Sequence, residues 1–441
     1  MNKMKFKKIF KSKHTQSLTG QLAGAVIAVF SFMVLARGFS KSEFGQWILY
    51  LSLLTFFDMI KSGMVQSAFI KYASGESGEG FLKLEGSSWV LNFIVTLFFS
   101  VISLVTCWLG VFEAEGVVLF LMVYPFYSFA SMPFHYFLWR SQIKLDFKQV
   151  AVGRIVNVFL FLLATLSTFY FNVGVRELVL LHLFVFVISS LLALLSKKTG
   201  IRSVLKSDIS TLKIYWNFGR YHSLAFLGSN LLKSSDTFII GGVLGPVYIA
   251  IYSIPLRLVE IIELPLKASV SVAFPVFSAH DNEGNLTSLK ESLEKYIGVL
   301  TLLYVPFMTL LFLFSDYLVF VIGGEKYAET GNIFRLFLIY GLFLPFDRLT
   351  GVVLDAMGYP RLNFIKVVLM ATVNILGDVI VLYWFRSLEM VAIVTIANVL
   401  TGTLVGFFIS RKKLKISLKS IVHIGAKTII KSIYQIKTSK L

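Results

Sequence analysis

The sequence predicts an all-α, polytopic membrane protein of about twelve transmembrane helices, and three observations carry that prediction. Hydrophobic residues make up 56% of the 441-residue chain and charged residues 15%, with a mean hydropathy of +0.77, far from the composition of a water-soluble domain. Apolar runs of about 20 residues, the length that crosses about 30 Å of hydrocarbon as a helix, recur along almost the whole chain. Lysines and arginines cluster in alternate connections between those runs, as they do in membrane proteins.

The first run, residues 18–37, follows a lysine-rich segment as a secretory signal would. Eleven comparable runs follow and no small-residue cleavage site does, so it is read as a helix that stays. The second, 44–70, carries Asp58 and Lys61, and the third, 86–111, holds Cys107. With one cysteine in the chain, an intrachain disulfide and a cysteine-ligated metal are excluded. The fourth, 117–139, contains Pro125 and Pro133; the fifth, 150–171, and sixth, 177–196, are read as spans on length and apolar content.

On the seventh, 217–243, Ser223, Asn230, Lys233, Ser234 and Thr237 share an arc of about 100°, with Arg220 at its margin and Asp236 off the stripe. The eighth, 247–274, reads IPLRLVEIIELPLK over 254–267. Arg257, Glu260, Glu263 and Lys267 fall within about 120° of one face there, opposite Leu, Ile and Val. The ninth, 296–320, carries Pro306; the tenth, 330–357, carries Arg335, Pro345, Asp347, Arg348 and Asp355. Asn363, Lys366, Asn374 and Asp378 form a stripe on the eleventh, 362–384, and the twelfth is 388–410. Pro255 and Pro265 also lie inside the eighth run, and helices interrupted in this way can bend.

With a cytoplasmic N-terminus, thirty of the 42 Lys and Arg residues fall in cytoplasmic segments, against five, Arg37, Lys41, Arg176, Lys326 and Arg386, on the opposite side. That bias places both termini in the cytoplasm. The expected divisions are a basic N-terminus (1–17), a first lobe (18–196), a basic linker (197–216), a second lobe (217–410) and a basic tail (411–441). In the tail, Leu414, Leu418, Ile421, Ile429, Ile433 and Ile436 are spaced for one helical face, which suits anionic membrane lipids of the inner leaflet. The net charge of +18 is split among short loops and forms no continuous basic domain, which excludes nucleic acid as the partner.

Seven cations remain inside predicted helices: Lys61, Arg220, Lys233, Arg257, Lys267, Arg335 and Arg348. Each ion at the bilayer centre costs roughly 3 kcal/mol, so the polar stripes imply an interior that is wet or paired. The spacing of Arg257 with Glu260 and of Glu263 with Lys267 permits pairing along the helix. Arg220 and Lys233, on a stripe of hydroxyls and amides, favour a hydrated cationic cavity for an anionic ligand. Arg220, Lys233, Arg257, Lys267 and Lys61 are therefore candidate ligand-binding cations, with Asn230 and Asn374 as candidate polar contacts to the same ligand. Asp58, Glu260, Glu263 and Asp378 are candidates for proton or Na+ coupling. No phosphate-binding GxxxxGK[ST], HExxH or DxD motif occurs, and the six histidines are scattered; neither a catalytic site, a metal site nor an organic cofactor is expected.

Residues 40–63 laid over 245–268 align SKSEFGQW with GPVYIAIY and Asp58 with Glu263, the pattern of a transporter built from two six-helix halves. The segments LARGFSKSEFGQW (35–47), DTFIIGGVLGPVYIAIYSIP (236–255) and FPVFS (274–278) resemble those of bacterial polysaccharide flippases. These are Wzx-type lipid-linked oligosaccharide transporters of the multidrug/oligosaccharidyl-lipid/polysaccharide (MOP) superfamily. Ala250 stands where the second-half pattern has glycine. The resemblance implies two six-helix lobes around a central cavity that opens alternately to each side of the bacterial inner membrane. It also implies an undecaprenyl-diphosphate-linked oligosaccharide as cargo, for O-antigen, capsule or exopolysaccharide, and a polysaccharide polymerase and chain-length regulator as partners. A multidrug or cation antiporter of the same superfamily and a membrane-embedded polymerase or acyltransferase are the alternatives; outer connections of at most about ten residues leave the enzyme little room for a site.

Overall fold

A computed structural model describes the backbone of residues 13–438, and within it the side chains other than those of 13–22, 221–222, 224–234, 433 and 435–438. Every regular element among the described residues is helical. In chain order these are α1 (Lys13–Gly38), α2 (Lys41–Lys61), a π-helical turn (Ser62–Gln66), α3 (Ser67–Ala73), α4 (Gly78–Trp108), α5 (Glu115–Ile143), α6 (Phe147–Phe171) and α7 (Val175–Leu195). A 3-10 turn (Ile201–Lys206) leads to α8 (Ile209–Val243), α9 (Pro246–Ile262), α10 (Leu264–Asn282), α11 (Leu286–Leu313) and α12 (Ser315–Gly323). A second 3-10 turn (Glu325–Thr330) precedes α13 (Gly331–Ala356), α14 (Pro360–Trp384), α15 (Leu388–Leu414) and α16 (Leu418–Thr438).

Nine helices among the described residues are long and apolar enough to cross a membrane. The chain is thus an all-α, multi-pass membrane protein, while the count of twelve is not reproduced. Of the three other predicted runs, the described apolar part of the first, Ala23–Gly38, is shorter than a full span, and the seventh lies largely outside the described side chains. The eighth is divided at Glu263 into α9 and α10. The division has a covalent cause: Pro265 follows immediately, lacks an N–H and crowds the carbonyl four residues earlier.

The chain separates into two compact units, residues 1–234 and 235–441. The first has a core where α3, α4, α5 and the start of α8 meet, centred on Phe69, Trp89, Tyr136, Trp139 and Tyr215. The Trp89 and Tyr136 rings stack there with centroids 3.8 Å apart. The second is centred on Phe277, Leu293, Ile297, Leu349, Val353 and Ile421. Large apolar side chains such as Phe98, Phe126, Phe184 and Phe364 stay exposed on the spans, as lipid-facing residues do. Trp108, Tyr170, Tyr383 and Trp384 crowd the C-terminal ends of α4, α6 and α14, where an aromatic belt would sit.

The motif segments position the helices that follow them. Ser40 caps α2: its hydroxyl accepts from the Glu43 N–H at 3.2 Å while the Glu43 carboxylate accepts from the Ser40 N–H at 3.1 Å, a reciprocal box that satisfies two otherwise orphaned donors. Gln46 then accepts from the Gly116 N–H at 2.5 Å, fixing the start of α5. The second-half counterpart uses different chemistry, with Gly245 at φ 91° and Pro246 opening α9.

The basic connection after α7 is docked against α4. Trp89 donates to the Thr199 carbonyl at 3.3 Å, and Ser87 accepts from the Asp208 N–H at 2.9 Å. A Cβ on Gly86 would lie 2.0 Å from the Ser203 carbonyl oxygen. Asp208 caps α8, and hydrogen bonds from the Ser210 hydroxyl and the Thr211 N–H hold its carboxyl below the ordinary carboxylate range. The cap is therefore intact at neutral pH and is lost as pH falls through that depressed value.

Candidate functional site

In the first unit one buried polar centre is Lys61. Its ammonium lies 2.9 Å from Asp58 and donates to Ser128 at 2.8 Å, with the Tyr124 ring 5.8 Å away, and Tyr127 donates to the second Asp58 oxygen at 3.1 Å. Asp58 and Lys61 are one turn apart on α2, so α2 supplies both charges and α5 supplies the ring and hydroxyls. The π-helical turn begins at the next residue; such turns insert a residue and re-aim side chains, frequently at functional sites. Gly63 in that turn lets α8 approach, since its Cβ would meet Ser223 Cα at 2.8 Å, and the Ser223 hydroxyl donates to the Ile60 carbonyl. Arg220 is exposed on α8, whereas Asn230 and Lys233 lie outside the described side chains.

The second unit holds a chain of charges that begins at the α9–α10 break. Arg257 pairs with Glu260 at 2.7 Å, and Glu263 with Lys267 at 3.2 Å, the two pairings that the spacing permits. Glu263, itself buried, also accepts from Tyr340 at 2.8 Å and sits 3.8 Å from Arg348 of α13. Arg348 lies 3.9 Å from Asp347, which is bound by Lys366 of α14 at 2.8 Å. Gly402 and Gly406 of α15 leave room for this last pair, because a Cβ at either would strike Asp347 or Thr350. Three cations thus alternate with two carboxylates, and side-chain exposures of 53% for Lys267 and 43% for Arg348 keep two of the cations accessible to an anion.

A second cluster is fully buried. Asn374 donates to Asp236 at 2.7 Å and to Asp378 at 3.1 Å, and accepts from Asn398 at 2.9 Å. Tyr252 donates to the other Asp236 oxygen at 2.8 Å and meets Thr395 at 3.5 Å. Among the described residues, one oxygen each of Asp378 and Asn398 is buried without a hydrogen-bond partner. Among the described residues no lysine or arginine pairs with either aspartate. Helices α8, α9, α14 and α15 each contribute. Asn374, expected to contact the ligand, is thus enclosed in a polar cage. Asp236 lies off the polar stripe of its own helix, and Tyr252, Thr395 and Asn398 stand outside the stripes altogether; the signal for Asp236 was its place at the head of the DTFIIGG segment.

Residues 34–331 match a family described as "Polysaccharide biosynthesis protein". The chain belongs to that family. Among curated proteins this family member is similar to the teichuronic acid biosynthesis protein TuaB of Bacillus subtilis (strain 168), 27% identical over 158 residues, which are 36% of this chain and 32% of the relative. The chain therefore spans about a third of the length of the curated relative it matches. Its fold is that of the MOP superfamily. A multidrug resistance MATE family transporter in an inward-facing conformation superposes with TM-score 0.74 at 13% identity, over 89% of this chain and 94% of that one. The lipid II flippase MurJ in an inward closed conformation gives 0.72 at 16%, over 96% and 93%. The expected resemblance is borne out at the level of family and fold: a polysaccharide biosynthesis family, with the fold of the MOP-superfamily transport proteins of known structure.

Proposed function

We propose that this family member is a flippase that carries a lipid-linked oligosaccharide, with an undecaprenyl-diphosphate anchor, across the bacterial cytoplasmic membrane by alternating access. Each sugar hydroxyl moved through hydrocarbon without a partner costs several kcal/mol, so a polar path held inside a helical bundle removes most of the barrier. The observation that carries this reading is the alternating chain Lys267–Glu263–Arg348–Asp347–Lys366 beside a proline break. Carboxylates hold the cations in place, and a diphosphate or sugar acid competes for the exposed Lys267 and Arg348. Arg220, Arg257 and Lys61 belong to the same proposal as outlying cations, with both termini cytoplasmic and a polymerase and chain-length regulator as partners.

The buried cage supports coupling to a cation. Two carboxylates in a dry interior cost several kcal/mol unless neutralised, and Asp236 and Asp378 share one amide donor. A proton or Na+ supplies the missing charge, and its release accompanies the conformational cycle. The same cage also favours the second reading, a cation-coupled drug antiporter.

The test is reconstitution of the purified protein in liposomes containing labelled undecaprenyl-diphosphate oligosaccharide, reading how fast inner-leaflet sugar becomes open to a glycosidase added outside. Protein-dependent exposure that falls at least tenfold in Lys267→Ala and Arg348→Ala is expected if each removes a charge-assisted contact of about 1.5–3 kcal/mol. Exposure unchanged in both would move the cargo away from the charge chain. No exposure, together with export of a cationic dye, would establish the antiporter instead.

A further inference from the structure

Helix α16 has two sides, and among the described residues one of them is packed against the protein while the other is exposed. Its docked side packs against α11 through a glycine seam: a Cβ on Gly298 would lie 2.1 Å from the Ile421 carbonyl oxygen, and one on Gly425 would lie 2.5 Å from the Gly298 carbonyl carbon. Close approach of this kind needs small residues on both helices. Ile421 joins Phe277 of α10, Ile297 of α11 and Leu349 of α13 in the core of the second unit. The N-terminus is pinned as well, since the buried Glu294 carboxylate accepts from the Ser417 N–H at 3.0 Å and from the Ser420 hydroxyl at 2.6 Å.

At about 100° per residue, Leu418, Val422 and Ala426 form the arc next to that docked side, and Lys419, His423, Lys427 and Lys431 lie beyond it. Leu418 and Val422 are 57% and 56% exposed, and Ile430 and Tyr434 are exposed too. Residues 411–441 contain nine lysines and arginines and no acidic residue. A strip of apolar side chains bordered by cations, with no carboxylate on the same segment, is complementary to an anionic bilayer surface.

We infer that anionic lipid headgroups are the missing partner of α16 and that they clamp it onto α11. The lipid surface covers Leu418 and Val422, the headgroups neutralise Lys419, Lys427 and Lys431, and the helix is thereby pressed into the Gly298–Gly425 seam. The packing of α10, α11 and α13 in the second unit then responds to the charge of the membrane. The inference is independent of the cargo.

The experiment uses full-length protein in nanodiscs of phosphatidylcholine alone or with phosphatidylglycerol, and reads amide exchange over residues 418–432. Phosphatidylglycerol is expected to slow exchange roughly 10- to 100-fold. The surface variant Lys419→Gln/Lys427→Gln/Lys431→Gln should lose most of that gain while keeping the protection seen in phosphatidylcholine. Gly425→Leu should lose protection in both lipids, and a seam that tolerated it would not be the docking contact. Equal exchange of the wild type in the two lipids, a full gain retained by the triple variant, or the same gain from inorganic phosphate added to phosphatidylcholine discs would each overturn the proposal.

Discussion

At the residue scale, the charges differ in what removing them costs. Asp347 and Lys366 are both buried and bind each other at 2.8 Å, with a second bond from Lys366 to the Asp347 carbonyl at 2.6 Å. Lys366→Met leaves a carboxylate without its counter-charge, for an expected loss of about 3–5 kcal/mol in unfolding free energy, whereas Asp347→Asn/Lys366→Met together should recover much of it. Denaturant melts of the four proteins in one detergent check the cycle. If the proposed coupling ion is Na+, Asp378→Asn is expected to remove the dependence of thermal midpoint on Na+, and a midpoint that keeps that dependence would take Asp378 out of the proposed ion site. Pairings within one helix, such as Arg257 with Glu260, were legible because spacing alone sets them. Those between helices, such as Glu263 with Arg348, were not, because helical periodicity says which face a residue occupies but not which helix it meets. Asp236 shows the limit most clearly: it lies off the polar stripe of its own helix, yet three other helices bring Tyr252, Asn374 and Asn398 to the same region.

At the element scale, most spans were readable from composition because hydrocarbon imposes a length and an apolar content that few other environments do. Interruptions within the runs were less so. The π-helical turn after Lys61 has no residue signature, and the proline pair in the eighth run marked a bend without saying which proline divides the helix. The Ser40–Glu43 box, by contrast, is written in four residues and accounts physically for part of the family-like SKSEFGQW segment. The division at Glu263 yields a prediction. Pro265→Ala returns an N–H to the ladder and is expected to heal the break, raising stability by up to about 3 kcal/mol while slowing the proposed translocation of lipid-linked sugar. Faster or unchanged translocation in a stabilised variant would remove the α9–α10 break from the mechanism.

At the scale of the whole molecule, the lysine and arginine asymmetry predicts which connections face the cytoplasm, and the single cysteine makes that easy to measure. In a Cys107→Ser background, Glu113→Cys in the α4–α5 connection should react with an impermeant maleimide added to intact cells, and Glu76→Cys in the α3–α4 connection should react only after lysis; the reverse pattern would invert the topology. The docked connection between α7 and α8 bears on how such a protein could be made in pieces. Because Thr199 and Asp208 are bonded to α4, and Tyr215 lies in the first unit's core and donates to the Leu84 carbonyl at 3.1 Å, the first unit needs residues beyond its sixth predicted span. A gene cut after residue 196 would leave Leu84, Ser87 and Trp89 to wait for their partners from a second polypeptide. A first fragment that keeps α8 whole, to Val243, would carry that core complete without dividing a helix.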